Sequence, residues 1–245
     1  MMVQDERNFN LSVAGHLFHL CTLYTETYEL CREYITDEQA EETIVITKED
    51  IIAERDEAAK HGIVQHSAYL ETLAVYRKIA NKVLDYDTFL MHGAVIGYNN
   101  ASYLFTAASG TGKTTHIKKW LDNLESSYVV NGDKPLIRIT DDEALVYGTP
   151  WCGKEQMGKK CEVPLKAIVL MERGDNNKIT EITFSQAFTG LLQQTYMPED
   201  AGKMRKTLML LSKLKGRVKF YKFVFNNMKE DAFIVAYNVL TEGNR

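Results

Sequence analysis

Several features that would settle a function class are scarce in this chain. Its four cysteines, Cys21, Cys31, Cys152 and Cys161, form no Cys-x-x-Cys pair and no dense framework. That excludes a disulfide-stapled scaffold and predicts reduced thiols in a cytoplasmic protein. No apolar run approaches the roughly 18 residues that a membrane helix requires. The stretch Met1–Asn10 is polar and acidic, unlike a signal peptide, so no membrane partner is expected. Basic residues are not in surplus: 29 Lys and Arg stand against 33 Asp and Glu, and the net charge of −4 gives no general attraction to nucleic acid. Internal repeats, low-complexity tracts and a Pro/Gly/Ser-rich linker are also missing.

What remains is ordinary in composition, 45% hydrophobic and 25% charged over 245 residues. That suits a soluble globular chain of one large domain, or one domain with a smaller appendage. Within it, Thr106–Thr115 reads Thr-Ala-Ala-Ser-Gly-Thr-Gly-Lys-Thr-Thr. Ser109, Gly110, Thr111, Gly112, Lys113, Thr114 and Thr115 form a phosphate-binding loop. Glycines let successive backbone N–H groups turn toward phosphate oxygens, Lys113 adds a point charge, and Thr114 offers a hydroxyl to Mg²⁺. The flanks agree. Tyr103–Phe105 is a short apolar strand, and Ile117, Trp120, Leu121 and Leu124 share one face of a helix whose N-terminus favours anions. The strict motif has glycine at position 107, where this chain has Ala107.

Residues 1–46 read mostly as strands, from Phe9–Leu23 to the β-branched Thr43–Ile46. His16, His19 and Cys21 lie close together there, as buried or paired strand residues or as part of a metal site of no standard spacing. Thr47 caps a predicted helix that runs to about Lys60 and stops at Gly62, and Ser67 caps a second one to about Leu84. The domain boundary falls near Asp85–Thr88, giving an N-terminal region at 1–86 and a nucleotide-binding domain at 87–245.

Phe89–Gly97 reads as one strand, followed by a tight Tyr98–Ala101 turn, so the strand before the loop is the second arm of a hairpin. This predicts a mixed sheet. Downstream, Tyr128–Val130 runs into Asn131-Gly132-Asp133, and an apolar strand ending in Asp is what a metal site beside a phosphate loop needs. Leu136–Ile139 and Ala144–Tyr147 form a further hairpin, whose Thr140–Glu143 linker is a solvated turn or a rival acidic metal site. The turn-rich Tyr147–Lys154 is either a structural loop or a mobile cover bringing Lys154 to phosphate. Pro164–Met171 is a buried strand, Glu172–Asn177 a turn and Ile179–Phe184 a returning strand, with Ser185 capping a helix. Met204, Leu208, Leu211 and Leu214 stripe another helix, whose lysines and arginine form a solvated face or dock an acidic partner. Val218–Phe225 is a strand, and Glu230–Leu240 a closing helix.

Together, Met91-His92-Gly93, the Asn-Asn hairpin, the Ser109–Thr115 loop and the strand-end Asp133 resemble HPr kinase/phosphorylase-like proteins and ATP-dependent phosphoenolpyruvate carboxykinases. The resemblance covers roughly residues 88–175, and residues 1–86 do not match the N-terminal domain of HPr kinases. It implies an α/β, mixed-sheet P-loop kinase domain with a small α+β N-terminal extension. It implies ATP and Mg²⁺, with phosphoryl transfer to a serine-type hydroxyl of a protein, peptide or small molecule, and often assembly into homo-oligomers. By position, Lys113 would hold the β- and γ-phosphates and Thr114 the metal. Asp133 would be metal ligand, general base or both, with His92 tuning or relaying its proton or serving as a structural strand residue. The family shows two adjacent acids where this chain has Gly132-Asp133. That substitution motivates an alternative, a nucleotide-binding regulatory module without phosphoryl transfer. A carboxykinase is a third reading, against which the chain's length speaks.

Overall fold

The structure is a computed structural model that describes residues 6–60, 62–226 and 232–242. The chain divides into two compact units, Met1–Asp85 and Tyr86–Arg245.

In the first unit, β1 (Asn8–Val13) and β2 (His16–Cys21) form an antiparallel hairpin in register from Asn8↔Cys21 to Val13↔His16. Ala14 and Gly15 make its turn, both with positive φ (51° and 72°), as a two-residue hairpin turn requires. Then come α1 (Glu26–Cys31), a 3-10 turn, β3 (Ile35–Thr36) and β4 (Glu42–Val45), and the sheet order is β3-β1-β2-β4. Helices α2 (Lys48–Lys60) and α3 (Ser67–Lys82) complete the unit.

The expectation of strands alone across 1–46 is corrected by α1. Six residues are too few to hold a helix by propensity. A tertiary contact does it instead. Glu71 on α3, fully buried, accepts the N–H of Leu23 (2.5 Å), the N–H of Tyr24 (3.2 Å) and the hydroxyl of Thr27 (2.8 Å). The cap of α3 is His66 rather than Ser67, since His66 Nδ1 accepts from Tyr69 N–H at 3.3 Å. Thr47 caps α2 as expected, and it exchanges a pair of side chain–backbone bonds with Asp50 in the first turn.

The second unit is mixed α/β. Its elements in order are β5 (Thr88–Leu90), β6 (Ala94–Tyr98), β7 (Ala101–Thr106), α4 (Lys113–Asn123), β8 (Tyr128–Asn131), β9 (Leu136–Ile139) and β10 (Ala144–Tyr147). They continue with β11 (Glu162–Arg173), β12 (Lys178–Ile182), α5 (Phe184–Gln194), α6 (Ala201–Lys213), β13 (Lys219–Phe225) and α7 (Ala232–Thr241). The sheet runs β5-β9-β10-β11-β7-β6-β8, with β13 also on β11 and β12 beyond it. Among the described strands of this sheet, β7–β11 and β11–β13 are the parallel pairs. The β6–β7 hairpin turns at Asn99 and Asn100, both at positive φ. Its core is aromatic: Tyr103 and Phe105 of β7, Trp120 of α4 and Phe223 of β13 are all essentially inaccessible to solvent.

Several expected boundaries move. Phe89–Gly97 is two strands, because at Met91–Gly93 the chain changes neighbours: β5 pairs with β9, whereas β6 pairs with β7 and β8. Glu172 and Arg173 belong to β11, not to a turn. The cap of α5 is Thr183, which exchanges both bonds of a capping box with Gln186, and Ser185 lies inside the helix. On α6, Leu210, Leu211 and Leu214 are buried, but Met204 and Leu208 stay partly exposed, so the expected stripe is only half covered. The expected start of the last helix at Glu230 lies outside the described residues.

Candidate phosphate-binding site

The loop sits where β7 delivers the chain to the start of α4. Gly112, the residue before the helix, has φ 119°, a conformation that side chains rarely adopt, and Gly110 has φ 77°. Ser109, Gly110 and Thr115 are exposed, and Thr111 and Thr114 half-buried. Lys113 is buried, and its ammonium donates to the loop's own carbonyls, Ala107 O at 2.8 Å and Ala108 O at 3.3 Å. Burial holds its pKa below the usual lysine value. The Asp133 carboxylate raises it and the Lys134 ammonium lowers it, so the three charges are near enough to act on one another.

The Met91–Gly93 break ties the strand ends together. Thr106 at the end of β7 donates its hydroxyl to His92 O (2.7 Å), and Gly93 N–H donates to Asp133 O (3.0 Å). His92 therefore lies between the root of the loop and Asp133. Its Nε2 is 3.2 Å from Asp133 Oδ1, and its Nδ1 is 2.8 Å from Gln194 Oε1 at the end of α5. Its backbone N–H also donates to Gln194 O (2.7 Å). A glutamine amide both donates and accepts. It can serve a neutral imidazole that gives its one proton to Asp133, and an imidazolium that donates from both nitrogens.

Asp133 is positioned by Asn131, which is fully buried. Asn131 Oδ1 accepts the N–H groups of Asp133 (2.8 Å) and Lys134 (2.7 Å), while its Nδ2 donates to Thr149 O and Oγ1. Lys134 Nζ stands 3.1 Å from both carboxylate oxygens of Asp133. Burial pushes the Asp133 pKa up, but the His92 hydrogen bond and the Lys134 ammonium outweigh it, and the carboxyl stays below its ordinary range.

The structure gives a steric reason for Gly132. A Cβ added there would lie 2.6 Å from Cys152 O and 3.0 Å from Met157 O. The segment after β10 is folded onto the end of β8: Lys159 N–H donates to Val130 O (3.2 Å), and Lys134 N–H to Trp151 O (3.2 Å). A second acid at 132 has no room. Trp151 and Cys152 in this segment are nearly buried, so it is anchored, and Glu155 pairs with Lys118 of α4 at 2.8 Å.

The rival acidic turn is a turn. Thr140 and Glu143 close it by backbone and hydroxyl bonds, Arg217 donates to its carbonyls, and Asp141 and Asp142 are exposed. His19 is bonded to Asn10 Oδ1 at 2.7 Å. Among the described residues no three His, Cys, Asp or Glu side chains converge on one point. Mg²⁺ is commonly bound by one or two protein oxygens plus phosphates and water, and the Asp133 carboxylate and the half-buried Thr114 at the start of α4 are oxygen donors of that kind. The loop likewise suits a phosphate chain, with glycine backbone at Gly110 and Gly112 and an ammonium at its base.

Sequence reasoning missed three side chains. Lys134 adjoins Asp133, and that adjacency was a usable signal. Arg173, at the end of β11, donates to Gly110 O (2.7 Å) and Thr111 O (3.0 Å). Gln194 is 102 residues from its partner His92 and gives no local signal.

No family model matches the chain, and no curated protein matches it. Among solved structures it is similar to the HPr(Ser) kinase/phosphatase from Coxiella burnetii, with 8% sequence identity and a TM-score of 0.37, over 64% of this chain and 99% of that one. Among the described residues no helix is long and apolar enough to cross a membrane. A likeness this distant leaves the chemistry to be read from the residues themselves.

Proposed function

We propose that this chain is an ATP- and Mg²⁺-dependent phosphotransferase of the HPr-kinase-like type, acting on a serine-type hydroxyl of a protein, peptide or small molecule. The observation that carries the reading is the pairing of His92 with Asp133 next to a lysine-ended glycine loop. Mg-ATP, when bound, supplies the phosphoryl group and neutralises part of its charge. The backbone of Ser109–Gly112 binds phosphate oxygens, and Lys113 leaves the Ala107 and Ala108 carbonyls to meet the terminal phosphates. Asp133 stays ionised at neutral pH and orients the acceptor hydroxyl, receiving its proton as transfer proceeds. His92, held by Gln194, fixes the carboxylate and gives that proton a way out.

The test is transfer of γ-labelled phosphate from Mg-ATP to protein and small-molecule fractions of a cell extract. Lys113→Ala and Asp133→Asn are compared with the unaltered protein after a thermal-melt check of folding. Each is expected to lower transfer at least about a hundredfold. Undiminished label in a folded variant would refute the assignment.

One observation favours a second reading, binding of nucleotide without transfer. The backbone carbonyls against Gly132 leave no room for a second carboxylate. Stoichiometric Mg-ATP binding with no label in any fraction would support it.

A further inference from the structure

Two ammonium groups face this site, and each is held by an oxygen of the protein itself. Lys113 rests on loop carbonyls, and Lys134 rests on Asp133. Lys134 is equidistant from the two carboxylate oxygens, 3.1 Å from each, and so lies across the open edge of the carboxylate. His92 holds Oδ1 from another direction. A divalent cation binding across that same edge of Asp133 therefore competes with Lys134, because an ammonium and a metal ion on the same oxygens repel strongly.

The backbone of Lys134 cannot follow. Its N–H donates to Asn131 Oδ1 and Trp151 O, and its carbonyl accepts the Thr149 hydroxyl at 2.8 Å. Only the four-carbon side chain is free to swing, and a flexible stem ending in a compact charge suits that motion. Gly93 N–H holds the Asp133 carbonyl and Thr106, at the root of the loop, holds the His92 carbonyl, so the Lys134 side chain pivots beside the strand end from which the phosphate-binding loop departs.

We infer that Lys134 is a resident counter-ion of Asp133 that yields the carboxylate to a divalent cation and moves to the phosphate oxygens of the ligand. This rests on the phosphate-binding reading of the loop. It makes Lys134 a ligand-binding residue of the site, and it makes cation and phosphate binding mutually supportive, since each relieves a charge the other leaves behind.

The exchange predicts opposite effects on two ligands. In Lys134→Met, Mn²⁺ added alone and followed by loss of its free-ion paramagnetic signal binds about tenfold more tightly than in the unaltered protein, because its competitor is gone. Inorganic pyrophosphate in metal-free buffer, followed by calorimetry, binds about tenfold more weakly, because a cation is lost. Lys134→Arg keeps the charge and is expected to stay near the unaltered protein for both. Equal Mn²⁺ titrations of the unaltered and methionine proteins, whether measurable or too weak to detect, overturn the exchange, as does unchanged pyrophosphate binding. A loss of both affinities in Lys134→Met would mark a structural role and also overturn it. If the unaltered protein binds no pyrophosphate, the loop reading fails with it. If it binds, and Lys113→Ala does not, the loop reading stands whatever Lys134 does.

Discussion

His116 is the fourth residue of α4, three after Lys113, and it points into the aromatic core with no solvent exposure. Its ring packs 4.7 Å from Phe105 and 5.2 Å from Phe223, centroid to centroid. Its Nε2 accepts Trp120 Nε1–H at 3.2 Å, so the ring proton is on Nδ1, which has no partner. Burial among these rings pushes its pKa from 6.5 down to about 3. The unfolded chain takes up a proton below 6.5, whereas the folded chain refuses it until about 3. The stability from a neutral His116 is therefore fully present above pH 6.5 and is lost as pH falls toward 3. With one pKa unit worth about 1.4 kcal/mol, the loss between pH 7 and pH 5 is about 2 kcal/mol. His116→Gln keeps an acceptor for Trp120 but cannot titrate. Urea unfolding at pH 7, 6 and 5 should show the unaltered protein losing about 2 kcal/mol more than His116→Gln over that range. Parallel pH dependences for the two proteins would mean that His116 binds its proton in the folded state, and would refute the dry aromatic setting at the root of α4.

Two further substitutions test the site's framework. Gly132→Asp, which would restore the paired acids, should cost about 1–3 kcal/mol in urea unfolding, because its Cβ meets the Cys152 and Met157 carbonyls. An unchanged midpoint would mean that this segment does not lie against β8. Arg173→Ala should weaken pyrophosphate binding by about 1 kcal/mol, or about fivefold, by freeing the Gly110 and Thr111 carbonyls. It should also speed hydrogen exchange of the loop amides, and undisturbed exchange would dismiss the clamp.

The sequence by itself determined the local chemistry. Glycine and lysine spacing marks the loop, the Ile117 and Trp120 spacing marks its helix, and the Asn99-Asn100 pair marks the hairpin that makes the sheet mixed. These features are legible because backbone conformation and helical period act over a few residues. Tertiary structure decided the rest. Helix α1 is held because Glu71, more than forty residues on, accepts the N–H groups of Leu23 and Tyr24 just before it and the hydroxyl of Thr27 within it. His92 leaves the strand because Met91–Gly93 changes sheet neighbours, and its partner Gln194 is more than a hundred residues away. Gly132 reads in sequence as a missing acid, but in the folded chain it is a contact point where carbonyls of a later segment approach too closely for any side chain. Such constraints depend on which distant backbone lands where, and no window along the chain contains that information.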